Sequence, residues 1–228
     1  MSSHGKKYVQ RASLVEKGKV YPLLDGVKLL KEVSYTKFDP TVEVSIKTFA
    51  NPKYNDQMMR GTMVLPYGTG KAVKVAVYVN EDMVGQAKSS GADIVGSSDL
   101  IKDIESGSIK FDILVTTPEL LRDLAKVAKV LGPKGLMPNI KTGTVTTDIA
   151  KAVNEIKKGR VEYKLDKTGN IQMPVGKGSF SDDQLAQNIS TLVKTLEENK
   201  PTGVKGRLIK KIVVSTTMSP AVLVSIDG

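Results

Sequence analysis

The chain has 228 residues, 40% hydrophobic and 25% charged, with 34 Lys and Arg against 24 Asp and Glu. That composition supports a packed core and excludes a wholly disordered chain, and the length calls for one large or two small domains. The net charge of +10 points to a polyanionic partner, while no uninterrupted apolar run reaches the roughly 18 residues of a membrane-spanning helix.

Cysteine is absent, so disulfides and thiolate metal sites are excluded. His4 is the only histidine, and its terminal position predicts a solvated tail. No histidine-based triad, zinc site, metal or cofactor is expected. The opening Met1-Ser-Ser-His-Gly-Lys-Lys7 has no apolar core for a secretory signal, so the expected place is the cytoplasm.

In chain order, Pro22 to Val33 reads as an amphipathic helix carrying Leu23, Leu24, Val27, Leu30 and Val33. Thr41-Val-Glu-Val-Ser-Ile-Lys47 alternates as a half-buried strand, with Thr41 and Glu43 on the exposed face. Arg60 to Leu65 is its expected partner strand. Next come a strand at Val73–Val79, a short helix at Glu81–Ser90, and a strand at Ala92–Gly96. A helix capped by Ser98 and a strand at Phe111–Thr116 follow. Pro118 opens a helix through about Val130. Thr147 or Asp148 caps a last helix containing Ile149, Val153 and Ile156. This alternation predicts a small parallel sheet covered by helices.

The remaining elements are strands at Arg160–Lys164 and Asn170–Met173 joined by a turn at Asp166–Gly169, a helix at Asp182–Asn199, and two strands flanking Ser215–Pro220. Neither end of the chain holds enough elements to cover a sheet alone. The expected architecture is therefore α+β with two domains. Residues 1–66 and 160–228 form domain I, and residues 67–159 form an inserted three-layer α/β, Rossmann-like domain II. The two ends carry +5 and +3 of the net charge and the middle carries +2, so the polyanion is expected on domain I.

Two glycine motifs invite a nucleotide-binding reading and fail it. Before Gly70-Lys71, Leu65 stands where a phosphate loop needs glycine, and Ala72 follows the lysine. After Gly176-Lys-Gly178, Ser181 replaces the third glycine of a dinucleotide fingerprint. Pro66, Gly68 and Gly70, with Gly159 near the return, fit a hinge between domains better. Leu131 to Gly143 is a proline- and glycine-rich basic loop. Lys134 and Lys141 make it either a helix connection or a second RNA contact. Phe38 is a core residue by default and a stacking platform otherwise. The hydroxyl-rich Ser215-Thr-Thr-Met-Ser-Pro220 suits contact with sugars and phosphates. A carboxylate such as Glu43 can accept from a ribose 2′-hydroxyl. No carboxylate pair sits beside a nucleophile pattern, so no catalytic residue and no small-molecule substrate are expected.

Together these residues closely resemble the ribosomal protein L-one family over nearly the whole chain. The likeness rests on Lys37-Phe-Asp-x-Thr-Val-Glu-Val44, Arg60-Gly-Thr, Gly68-x-Gly-Lys71 and Leu131-Gly-Pro-Lys-Gly-Leu-Met-Pro-Asn139. It continues through Lys141-x-Gly-Thr-Val145, Asp166-Lys-x-Gly169, Lys200-Pro201 and Ser215-Thr-Thr-Met218. The resemblance, of bacterial type, implies a non-enzymatic large-subunit protein that binds rRNA and forms the mobile stalk beside the tRNA exit site. It further implies binding to its own operon mRNA as a translational repressor, contact with deacylated tRNA, and a monomer when free. Carried over by motif, the rRNA contacts are Lys37, Phe38, Thr41, Glu43, Asp166, Lys167, Thr217, Met218 and Ser219. Ser219 stands where the family commonly has glycine, Ile140 where it has proline, and Gln172 where histidine is frequent. A nucleotide-using enzyme built on the middle domain and a free translational regulator are the competing readings.

Overall fold

The computed structural model describes residues 5–226; His4 lies outside them. In chain order the elements are α1 (Lys6–Ala12), β1 (Tyr21–Pro22), α2 (Leu23–Val33), β2 (Thr41–Thr48), β3 (Arg60–Val64) and β4 (Val75–Tyr78). There follow α3 (Val84–Ser89), β5 (Ile94–Gly96), α4 (Ser98–Glu105), β6 (Ile113–Thr116), α5 (Leu121–Leu124), α6 (Ala128–Leu131) and α7 (Ile149–Lys157). The last are β7 (Arg160–Lys164), β8 (Asn170–Lys177), α8 (Asp182–Glu198), β9 (Ile209–Thr216) and β10 (Val222–Ser225). The chain divides into two compact units, one formed by residues up to 70 together with those from 161 onward, the other by residues 71–160.

The first unit is organised by a five-stranded sheet in the order β1-β10-β9-β2-β8. The interior strand β2 pairs antiparallel with both β8 and β9, while β1 adds parallel to β10. Alternation along β2 sends Val42, Val44 and Ile46 into the core, where they join Val27 and Leu30 of α2 and Leu185, Ile189, Leu192 and Leu196 of α8. All nine are essentially inaccessible to solvent. At ~1.5–3 kcal/mol per fully buried aliphatic side chain, this layer is the principal stabilising term of the unit. On the opposite face β2 presents Thr41, Glu43, Ser45 and Lys47, none of them buried. Helices cover one face of β2 and leave the other open.

One expected pairing is corrected. β3 does not pair with β2; it forms a separate two-stranded sheet with β7. The strands around Asp166–Gly169 are joined by the expected turn, but they belong to different sheets: β7 goes to β3, β8 goes to β2, and an isolated bridge, Leu165 to Ile171, joins the two arms beside the turn. The apolar spacing of β3, β7 and β8 allows both solutions. What decides is that β9 and β8 occupy the two edges of β2, leaving none for β3.

Helix α8 begins with a capping box. Gln184 N donates to Ser181 Oγ at 3.2 Å, and Ser181 N donates to Gln184 Oε1 at 3.0 Å. Ser181→Ala should cost about 1 kcal/mol, read as a lower urea midpoint with an unchanged slope.

The second unit holds a parallel sheet in the order β5-β4-β6. Alternate residues of β4 enter different cores. Ala76 and Tyr78 pack with Leu100, Ile104, Leu124 and Leu131, whereas Val75 and Val77 pack with Val153 and Ile156. Helices therefore lie on both faces, as a buried parallel sheet requires. The helix expected from Pro118 is interrupted. A 3₁₀ turn at Ala125–Val127 separates α5 from α6, and its tighter winding keeps Leu124 and Val127, three residues apart, on one buried side. Asp148 is the N-cap of α7, accepting from Lys151 N at 3.0 Å. No helix among the described residues is long and apolar enough to cross a membrane.

Candidate nucleic-acid interface

Within the first unit, one end of the open sheet face gathers residues distant in sequence. Thr217 follows β9 and Thr41 begins β2, and the two are tied together. Thr217 N donates to Thr41 O at 3.1 Å, and Thr41 N donates to Thr217 Oγ1 at 3.2 Å. Lys177, at the end of β8, donates to Thr41 Oγ1 at 2.9 Å. A register shift between Val42 and Glu43 sets Lys177 opposite Thr41, a typical use of a bulge to re-aim a side chain.

The loop after β9 is a closed turn. Ser219 N donates to Thr216 O at 2.9 Å, and Thr216 N donates to Ser219 Oγ at 3.0 Å. The hydroxyl of Ser219 is thus folded back into the loop. It closes the loop rather than projecting from it. Met218 has φ 68°, the only positive φ of a non-glycine among the described residues. The strain is held by the loop closure and by Tyr35, whose hydroxyl donates to Met218 O at 2.8 Å. The outcome is a Met218 side chain 65% exposed.

Phe38 is also exposed, at 55%, which corrects the default core reading. It is free to act as a stacking platform beside the exposed Lys37. Glu43 projects from the open face with Ser215 as its register partner. Lys37, Phe38, Thr41, Glu43, Thr217, Met218 and Ser219 therefore converge at one end of the sheet.

Asp166 and Lys167 do not join them. They lie in the turn between β7 and β8, beside the far end of β2, where Thr48 N donates to Gly169 O. At ~3.3 Å per residue this is roughly 20 Å from Thr41. The carboxylate of Asp166 is occupied locally: Oδ1 accepts from Thr168 N, Thr168 Oγ1 and Asn170 N, each at 2.8 Å. Partial burial opposes its ionisation, but the Asn170 and Thr168 donors prevail and hold the carboxyl below its ordinary range. Asp166 shapes the turn that presents Lys167. Gly169, at φ 78° and with Ala50 O only 3.0 Å from where a Cβ would stand, completes that turn as only glycine can.

A depressed carboxyl stabilises the fold above its unfolded value, near 3.9, and loses that contribution as pH falls through the folded value. Thermal stability between pH 7 and 5 should therefore be unaffected by Asp166, with its loss confined below about pH 4. In Asp166→Asn that acid-limb component should be missing; an identical acid limb in the variant would show that the turn bonds are not made in solution.

Between the two clusters the open face carries Ser45 and Lys47 of β2, Gln172 of β8, Lys211 and Ser215 of β9. Of these, sequence reasoning singled out Ser215, in the hydroxyl-rich loop, and passed over the others as contacts, although the same alternation that exposed Thr41 and Glu43 extends to them. It also missed Asn188, fully buried on α8. Its Nδ2 donates to Gly68 O at 3.1 Å and Val175 O at 2.8 Å, and its Oδ1 accepts from Tyr67 N at 3.2 Å. The legible signal was a polar residue beside the apolar stripe Leu185-Ile189-Leu192.

Of the proposed hinge residues, Gly68 is thus fastened to α8. Gly70 has φ 71°, and a Cβ there would meet Lys177 Cγ at 2.8 Å. Pro66 is exposed, and Gly159 has φ 96°. In the second unit Lys71 pairs with Asp112 at 2.9 Å, so its amine is committed to a carboxylate. The loop at residues 131–143 is ordered by its own bonds: Asn139 Oδ1 accepts from Lys141 N at 2.9 Å and Thr142 Oγ1 donates to Asn139 O at 2.9 Å. Lys134 and Lys141 are exposed on it.

An open sheet face in a basic unit, lined with hydroxyls, lysines, a carboxylate and two exposed apolar side chains, defines an RNA-binding protein. Residues 30–220 match the family model described as the Ribosomal protein L1p/L10e family, and the chain belongs to that family. It is accordingly a protein of the large ribosomal subunit that binds rRNA, from a family of structural RNA-binding proteins rather than enzymes.

Proposed function

We propose that the cluster of Lys37, Phe38, Thr41, Glu43, Thr217, Met218 and Ser219 is the principal rRNA contact, with Lys167 as a separate contact at the far end of the sheet. The observation that carries this reading is the mutual Thr41–Thr217 bonding, which brings two hydroxyl-bearing segments 176 residues apart into one surface. Glu43 and Thr217 address ribose hydroxyls and base edges, and the lysines supply salt-dependent phosphate attraction.

On this reading residues 1–66 with 160–228 form the rRNA-binding domain, and the Rossmann-like insert of residues 67–159 swings on the segments near Gly70 and Gly159. The whole forms the mobile stalk beside the tRNA exit site and assists release of deacylated tRNA, with Lys134 and Lys141 as a second RNA contact. The same surface binds a mimic of the rRNA site in the protein's own operon mRNA and represses translation. The free protein is a monomer. The test is a titration against the stalk segment of large-subunit rRNA and a scrambled hairpin at two salt concentrations. Tight binding that survives higher salt for the stalk segment alone is expected; equal, salt-sensitive binding to both would reduce the surface to a general polyanion patch.

A further inference from the structure

At the end of β2 away from Thr41, a cavity of about 620 Å³ opens in the first unit. Pro52, Met58 and Leu165 give it an apolar lining, and Lys53, Lys164 and Lys167 surround them. All three lysines are exposed, and none is in an ion pair among the described residues. The only carboxylate of the lining, Asp166, is occupied by its own turn. The cavity is therefore apolar inside and uncompensated in positive charge outside. Its volume falls in the ~300–1,000 Å³ range of small-molecule sites.

The cavity also continues the open sheet face. Lys47, the one lysine of β2, donates to Thr168 O in the adjoining turn. Phe49, 55% exposed, lies at the same end with the Lys210 ammonium 5.6 Å from its ring. An RNA strand following the open face from Thr41 reaches this end of the sheet.

We propose that the cavity receives one unpaired nucleotide of the bound RNA, its base against Met58 and Pro52 and its flanking phosphates on Lys53, Lys164 and Lys167. This rests on the RNA-binding reading above and extends it to a second, base-accepting site. A phosphate alone would leave the apolar lining wet, and an acidic peptide would satisfy the lysines without covering it. A nucleotide brings both an apolar ring face and the charge. The polarisable thioether of Met58, 45% exposed, suits contact with any base, so the site favours an unstacked nucleotide with little sequence preference.

The test uses the full chain labelled with ¹³C at the methionine methyls. Adenosine monophosphate should shift the Met58 methyl saturably, whereas inorganic phosphate and triglutamate should not. Joint Lys164→Ala and Lys167→Ala substitution should weaken that response about ten-fold, the equivalent of ~1.4 kcal/mol. No Met58 shift with adenosine monophosphate, or an equal one with triglutamate, would overturn the proposal. On the stalk RNA, Met58→Ala should lower affinity about ten-fold and leave Tm unchanged, since the side chain is half exposed. Unchanged affinity in that variant, beside discriminating wild-type protein, would remove the pocket and keep the RNA-binding surface. A Met58 response to the mononucleotide in a protein that fails to discriminate the stalk RNA would do the reverse.

Discussion

Thr217→Ala should weaken binding to the stalk segment of large-subunit rRNA by roughly 100-fold while changing affinity for a scrambled hairpin by less than about three-fold. A 100-fold loss is ~2.8 kcal/mol, and two sources supply it. The first is the hydrogen bond that Thr217 Oγ1 accepts from Thr41 N; an amide left without its acceptor costs ~1–3 kcal/mol unless water replaces it, and the loop then loses its anchor to β2. The second is the RNA contact proposed for the same hydroxyl, typically ~0.5–1.5 kcal/mol. Non-specific affinity depends on the lysines and is untouched. Thr217→Ser retains the oxygen and should recover most of the loss. Lys37→Ala should act oppositely, lowering the salt dependence for both RNAs by nearly one unit of slope if its ammonium neutralises one phosphate. Parallel losses for the two RNAs in both variants would refute the division between specificity and charge.

Asn188→Leu should lower the thermal transition of the first unit by roughly 10 °C and leave that of the 71–160 unit in place. The side chain satisfies Tyr67 N, Gly68 O and Val175 O at once. Leucine fills similar space but strands those groups, and Val175 is fully buried. A cost of about 2–4 kcal/mol follows from unpaired buried polar groups. For a unit of this size each kcal/mol is worth a few degrees. Calorimetry of the full chain separates the outcomes. A single transition, or a joint shift, would mean that residues 71–160 do not melt independently. A shift under about 3 °C would mean that water replaces the amide.

Much of the candidate site was readable because strand alternation reports exposure directly. Thr41 and Glu43 alternate with Val42 and Val44, and the apolar pair had to be inside. The same rule applied further along would have found Lys47 and Gln172. The exposure of Phe38 was not readable from periodicity, although the family motif named it as a contact. A lone aromatic ahead of a strand has no periodic partner, and only the fold shows that it stands in solvent. Nor was the role of Asp166 readable as anything but a candidate contact. Its occupation by Thr168 and Asn170 depends on the turn conformation, which two arms belonging to different sheets impose.

The sequence by itself determined the basic character of the chain, the absence of cysteine chemistry, most helices and strands, and, through its ordered motifs, the family. These are local or additive properties, carried by composition, period and spacing. Tertiary structure alone decided which strands pair, that Thr41 and Thr217 share one surface, that Lys167 stands roughly 20 Å away from them, and that Asn188 fastens Gly68 to α8. Those outcomes depend on competition for sheet edges and on long-range hydrogen bonds. Several strands of similar pattern compete for each edge of β2, and the packing of α2 and α8 against one face selects among them.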